Sequence, residues 1–585
     1  MRTAHGIGGR PSASGSSARS IVILVLLGLC IGWTSGCAST QPRRFSGKIV
    51  WEVNDRHPIA KPDKRWAPIY WGAVDHLLFR PISHLFLLRR SGPAKNANAL
   101  GQVPNSSWYT NRLSRWSISP RRVALGPCEQ FEMERGPRWV VHQGRLRRGN
   151  RGFVVDVHRR DGTTTRYKLK VRGARQTERA TAAEAIASRI YWAAGFETPC
   201  NRVIYVDPEI LELADDAILV DKYGAETPMS ESDIERVLRR VPHNPKGRFR
   251  TVASPSLPGK PLGPFSYEGV RHDDPNDVIP HEDRRELRGS KLIAAWLNHF
   301  DTRQRNTATT FMQKKGSDKG YVQHFLRDFD DSLGARWVND QVSRRFGRSF
   351  YFDFEHVFAD MFGLGLIHRP WEDVESDDDA PIFNYFGVTH FEPKDWKEGF
   401  PNIAFGRMDA RDAFWATNII SRFTDTHIER LVAVGRFTKE VYGDYLTETL
   451  IGRRDRIVRT YFAEMSPLVE PEVGGGELCV IDAWVSREYG PSSNARYERR
   501  FSSLLESQKK GWDQLDRAAS ETGEVCVDLP PAAQRSPRLG DLVVEVRVSR
   551  KGLDKSAKPT RFHLRPDRET NQYRLVGILR VGDAP

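Results

Sequence analysis

HFDTRQRN, from His299 to Asn306, and RDFDDSLG, from Arg327 to Gly334, decide how this 585-residue chain is read. Asp301 and Asn306 stand five apart, and His299 precedes Asp301 by two. Either stretch alone is commonplace in a long protein, but their order and the apolar run ahead of each are not. Leu287, Leu292, Ile293, Trp296 and Leu297 fall at helical spacing. They predict a helix from about Asp283 to Leu297 that delivers the first stretch from a buried element. YVQHFL, from Tyr321, reads as a strand that delivers the second.

The pair resembles the catalytic loop and the metal-binding loop of the protein-kinase-like phosphotransferases, where HxDxxxxN is followed by a DFG or DFD. In that pattern one short loop serves two sides of a transferring phosphoryl group. A carboxylate takes the acceptor's proton, and an amide oxygen further along holds magnesium. A second carboxylate must reach the metal from elsewhere, because magnesium prefers oxygen ligands. The resemblance implies Asp301 as the base, Arg303 against the transferring phosphate, and Asn306, Asp328 and Asp330 around the metal. It also implies ATP or another nucleotide, with magnesium, as cofactors. Phe300 stands where eukaryotic protein kinases usually carry Arg, and Asp330 replaces the DFG glycine. DFDD is similar to the aminoglycoside and choline kinase branch, with the CotH and HipA groups as further atypical relatives.

Upstream, WVVHQ from Trp139, VVDVHRR and TRYKLKV read as three antiparallel strands. Gly144, Gly149 and Gly152 either bring backbone amides to nucleotide phosphates or serve hairpin geometry. Lys168 and Lys170 share one face of the third strand. The resemblance, to a kinase strand that ends in lysine, assigns Lys170 to the phosphates. TERATAAEAIASRIYWAAG from Thr177 is strongly helical. Glu184 borders its apolar stripe and can turn inward to Lys170, whereas Glu178 falls further round. The span from Ser230 to Pro280 reads as loop-rich. There RHDDPNDVIPHED concentrates Asp273, Asp274, Asp277, His281 and Asp283, which either hold a calcium or second metal or cap the next helix.

The expected fold class is α+β, a two-lobed protein-kinase-like fold with a β-rich amino-terminal lobe over 128–228 and a helical carboxy-terminal lobe over 229–466. A signal peptide (1–36) and an extended segment (37–127) precede it. LCVIDAWV, DLVVEVRVSR and QYRLVGILRV mark a β-rich domain of sandwich type over 467–585. The leader, IVILVLLGLCIGW from Ile21 and then TSGC, resembles a bacterial lipoprotein signal with Cys37 as the lipidated residue, although Thr34 stands where Leu is usual. Thirteen apolar residues are short for a membrane span. The body is therefore expected outside the cytoplasm, membrane-anchored, and Ala38 after the Cys points to the outer membrane.

The net charge of +15 is spread among interleaved acids without a nucleic-acid-binding signature, so nucleic acid is not an expected partner. Of the six cysteines, none falls at zinc-ligand spacing. Cys479 and Cys526 lie in strand-like segments and either pair, in an oxidising compartment, or remain buried thiols. The function expected is an envelope-anchored phosphotransferase acting on a protein, glycan or small-molecule hydroxyl. The alternative is an inactive kinase-like binding or assembly lipoprotein whose last domain meets an envelope protein or glycan. Nucleotide transfer with the same residues is a third reading.

Overall fold

The computed structural model describes residues 44–67, 69–85, 92–128, 139–146, 151–159, 162–173, 176–337, 340–503, 511–515, 519–535, 539–553 and 556–580. Cys37 and Gly149 lie outside the described residues. The protein is α+β, and its strands form several separate sheets.

β1 (Trp139–Arg145), β2 (Gly152–His158) and β3 (Thr164–Lys170) form an antiparallel ladder in which Gly152 faces Lys170 and Val155 faces Tyr167. Strand alternation buries Tyr167 and Leu169 against Val141, Phe153, Val155 and Phe249. Lys168 and Lys170 are thereby sent to the opposite face. β4 (Arg202–Val206), β5 (Leu211–Val220), β6 (Glu226–Pro228) and β7 (Phe249–Pro255) complete a seven-stranded sheet of order β4-β7-β3-β2-β1-β5-β6, with β5 parallel to β1.

β7 corrects the loop-rich reading of Ser230 to Pro280. It is an interior strand paired with both β3 and β4. A helix, Glu231–Leu238, also lies in that span and opens on a capping box made by Ser230 and Asp233.

The helices Thr177–Ala194, Arg285–Leu297, Ala410–Ile420 and Glu440–Glu464 contribute to one large hydrophobic core. Gly289 lets the second of these approach the third, because a Cβ there would sit 2.8 Å from the Trp415 ring. Beside this core, β8 (Lys260–Gly263), β9 (Thr307–Gln313) and β10 (Gly320–Leu326) form a small sheet in which β9 and β10 are an antiparallel hairpin. Residues 44–66 form neither helix nor strand longer than a single bridge. They run along these elements, with Ile59 bridged to Gly320 and Arg65 N–H donating to Leu262 O at 2.8 Å.

β11 (Leu468–Gly474), β12 (Glu477–Asp482), β13 (Ala495–Ser503), β14 (Asp513–Gln514), β15 (Glu524–Asp528), β16 (Leu542–Arg550), β17 (Thr560–Asp567) and β18 (Gln572–Arg580) make two further sheets, β11-β12-β15 and β14-β13-β16-β17-β18. Leu478, Val480 and Val525 from the first share one core with Val544, Val546 and Phe562 from the second.

Cys479 and Cys526, opposite one another on β12 and β15, form a disulfide. Cys128 and Cys200 form another. The bonds are 47 and 72 residues apart in sequence. In the chain-entropy account, loops of that size are worth about 4 kcal/mol each. Reductant is therefore expected to lower the urea midpoint of the intact protein, with a loss of several kcal/mol in unfolding free energy. An unchanged midpoint would mean that the bonds contribute nothing to the fold.

Candidate functional site

The hairpin brings the two sequence stretches together. Its base pairs Thr307 with Leu326, so the loop 299–306 enters β9 beside the point where β10 leaves into 327–334. Arg327 then staples one loop to the other. Its N–H donates to Asn306 O at 3.0 Å, its Nε to Thr307 O at 3.0 Å and an Nη to Arg305 O at 3.1 Å.

The first loop is launched by the Arg285–Leu297 helix, which ends where Asn298 adopts a left-handed conformation (φ 48°). His299 is buried against Tyr191 and Phe329, with Tyr191 Oη 3.2 Å from its Nδ1. Burial lowers its pKa to about 4, so it stays neutral and packs. Asp301 is buried too. Arg303 approaches both of its carboxylate oxygens, Nε at 2.8 Å and an Nη at 3.0 Å. Burial raises the Asp301 pKa to about 6, with Arg303 opposing and the charges of Asp331 and Asp328 adding to the rise. Asn306 is held by its side-chain Nδ2, which donates to Asp301 O at 2.6 Å.

Glu184 is almost completely buried and meets the Lys170 ammonium. Its other oxygen accepts from Asn201 Nδ2 at 2.9 Å and from Phe329 N–H at 3.3 Å. Glu178 lies elsewhere, accepting from Thr438 N–H at 3.4 Å. Lys170 also meets Asp328, whose backbone is left-handed (φ 67°) in a residue that has a Cβ. Such a conformation costs about 1 kcal/mol or more and persists only where its surroundings enforce it. Burial opposes the Lys170 charge, but Asp328 and Glu184 outweigh it and hold its pKa up. The Lys170 and Lys168 charges hold the Asp328 carboxyl far below the usual range against the cost of burial. Lys168 is less well compensated, and burial and the neighbouring Lys170 lower its pKa to about 7.

Asp330 pairs with Arg172, and its backbone carbonyl accepts from the buried Arg179 at 2.8 Å. Arg179 also donates to Ser332 O at 2.5 Å, so one guanidinium sets the course of the second loop. The carboxylates of Glu184, Asp328 and Asp330 offer oxygens within 4.8 Å of one another. Three carboxylates so close make a hard-oxygen donor set of the kind magnesium takes. Gly152 opens β2 directly opposite Lys170, where a Cβ would run into the Leu169 carbonyl, so strand packing alone requires glycine.

The sequence assigned no role to Asn201, Asp331, Arg172 or Arg179. Asp331 bears on the same loop, its pKa raised by burial with Arg172 and Arg179 opposing. A groove of about 1160 Å³ lies away from these loops beside Ser119, Arg189 and Arg430. A second cavity, about 810 Å³, borders Thr302, Arg303 and Gln304 of the first loop.

Acids of the run before the Arg285–Leu297 helix are matched by cations of the chain itself. Asp277 receives His281 Nε2 at 2.7 Å and Arg284 at 3.1 Å, and Asp283 pairs with Lys95, Arg288 and Arg407. The two groups of metal-capable side chains among the described residues do not include these acids, and the second of them, Glu477 with Cys479 and Cys526, has its sulfurs joined in the disulfide. Burial opposes the Asp277 charge, but the His281 hydrogen bond and the His281 and Arg284 charges hold its carboxyl well below the usual range. Its folded pKa is depressed, so its contribution is complete above the unfolded value of about 3.9 and fades below it, at up to about 1.4 kcal/mol per pH unit. Melting temperatures followed from pH 5 to pH 2.5 should therefore fall less steeply for Asp277→Asn than for the wild type. Parallel curves would sink this account.

No protein-family model, curated protein or solved structure matches the chain. Among the described residues, no helix is long and apolar enough to cross a membrane.

Proposed function

We propose that this protein is a kinase-like, magnesium-dependent phosphotransferase anchored in the cell envelope, which moves a phosphoryl group from a nucleotide to a hydroxyl. The single observation that carries the reading is the Lys170 ammonium held between Glu184 and Asp328, with the Asp301–Asn306 loop stapled alongside by Arg327. In this reading the seven-stranded sheet and the helical core are the two lobes, and Lys170 binds nucleotide phosphates while Glu184 fixes its direction. Asp301 orients the acceptor hydroxyl and takes its proton. Arg303, beside Asp301, offsets the negative charge that gathers there. Asp328, Asp330 and Asn306 would hold magnesium, which when bound neutralises phosphate charge. Two disulfides favour an oxidising compartment, in keeping with a lipoprotein held through Cys37.

The test is a thermal shift with ATP and magnesium, alongside transfer of labelled γ-phosphate. The expected result is stabilisation by ATP with magnesium that EDTA reverses. No shift together with no transfer to any acceptor would end the reading.

One observation favours the inactive binding or assembly reading instead. Lys170 and Asp301 already have partners within the chain, in Asp328 and Arg303. Full cellular function in Asp301→Asn and Asp328→Ala variants would establish that alternative.

A further inference from the structure

The Phe354–Gly363 helix buries none of its residues, although its sequence is apolar. Val357, Phe358, Met361 and Phe362 form one exposed stripe, and Leu364 and Leu366 continue it. Phe362 is 77% exposed, Leu364 84% and Leu366 87%. Large apolar side chains gathered at such exposure mark an interaction surface. Here the surface runs into the cavity of about 810 Å³, because Phe358 belongs to both. Phe350, Phe352, Phe400 and Ile82 line the same cavity, together with Thr302 to Gln304, which follow Asp301 directly. A ligand with a long apolar part and a polar end would cover the helix and fill the cavity.

We propose that the acceptor hydroxyl is carried on a membrane lipid, whose acyl chains reach the cavity from the bilayer across the Phe354–Gly363 helix. This rests on the phosphotransferase reading above and deepens it by naming the acceptor class. Six residues, and so seven Cα–Cα steps, separate Cys37 from Arg44, where the described body begins. That tether spans at most roughly 25 Å. A lipid on Cys37 would therefore keep the body close to a membrane, whose acyl chains are the apolar phase that an exposed stripe of this kind takes up. In the reaction, the lipid hydroxyl oxygen bonds to the γ-phosphorus as the bond from that phosphorus to the β–γ bridging oxygen breaks. The nucleoside diphosphate leaves with the electron pair, and the hydroxyl proton passes to Asp301.

The experiment uses the full chain in vesicles of bacterial total lipid extract, with the photoreactive benzoylphenylalanine replacing Phe358 or Phe362. Tyr223, 83% exposed after β5, serves as the control position. Lipid adducts are expected at positions 358 and 362 at ten times the level at 223 or more. Equal adducts at all three positions, or crosslinks only to protein, would overturn the proposal. In parallel, γ-labelled ATP with magnesium should place label in the organic extract of the same vesicles. Label confined to the aqueous phase would overturn the lipid acceptor while leaving phosphoryl transfer standing. Lipid adducts without any thermal shift by ATP and magnesium would instead overturn the phosphotransferase reading, and the acceptor assignment with it.

Discussion

Asp301→Asn is expected to lower phosphoryl transfer by ~10²–10⁴-fold, the usual worth of a positioned general base, while the stabilisation by ATP and magnesium survives. Asparagine keeps the size of aspartate but carries no charge with which to accept the acceptor's proton. Nothing in the Lys170–Glu184–Asp328 contacts passes through the Asp301 side chain, so nucleotide binding has no reason to fail. Stability should move the other way from activity. The folded pKa of Asp301 is raised to about 6, chiefly by burial, so ionisation weighs against the fold from the unfolded value of about 3.9 upward and in full above the folded one. At pH 7.5 the variant should therefore melt at or above the wild-type temperature. That pairing separates a lost base from a damaged fold. Wild-type turnover in the variant would remove Asp301 from the chemistry.

Arg453→Met is expected to destabilise the protein by several kcal/mol and to loosen the first loop from a distance. Arg453 lies buried in the long Glu440–Glu464 helix and reaches the end of the Arg285–Leu297 helix. There its guanidinium donates to Trp296 O at 2.8 Å and Ala295 O at 2.6 Å, and also to Gly387 O at 2.9 Å. The faces of Phe386 and Phe391 lie 4.6 Å and 3.6 Å from it. The last carbonyls of any helix lack internal partners, and a cation at that end also meets the helix dipole favourably. Methionine fills some of the volume but takes this donor from the Trp296 and Gly387 carbonyls, at about 1–3 kcal/mol each, while Ala295 O keeps the Asn298 N–H at 3.1 Å. Release of a desolvated cation offsets part of that loss. Lysine should rescue poorly, because one ammonium cannot reproduce the planar fork. The urea midpoints of Arg453→Met and Arg453→Lys check this. A wild-type midpoint for the methionine variant would refute the capping role.

What the sequence made legible follows from period and from order. β1 to β3 and β10 carry strand-like apolar runs, the Thr177–Ala194 and Arg285–Leu297 helices carry a helical apolar stripe, and each forms where its pattern lies, whereas β9, TATTFMQ, shows no such pattern and was not read. β7 was missed because Phe249–Pro255 mixes Arg, Thr, Ser and a terminal Pro, which looks like loop although the strand is interior. The Glu231–Leu238 helix did carry a signal in Ser230 and Asp233, three apart before an apolar stripe, but the loop-like residues around it outweighed that cue. Asn201, Arg172 and Arg179 left none, since each acts through one tertiary contact that spacing cannot encode. The Cys128–Cys200 bond was equally silent, because its half-cystines are 72 residues apart with no shared pattern. The acid-rich run left two readings open, a cation site or helix caps. Its composition suggested a cation site, yet its carboxylates are already matched by His281, Arg284, Arg288 and Arg407.

The β9–β10 hairpin has a bearing on how such a site tolerates change over time. Asp301 and Asp328 are neighbours because the hairpin is closed at its base, where Thr307 meets Leu326, and not because of how far the chain travels before it turns back. Residues added at the distal turn, around Lys314 to Lys319, would lengthen the ribbon and leave the base untouched. A single residue inserted within a strand near the base would invert every side chain beyond it. The interval between the two motifs is thus elastic at one end and rigid at the other.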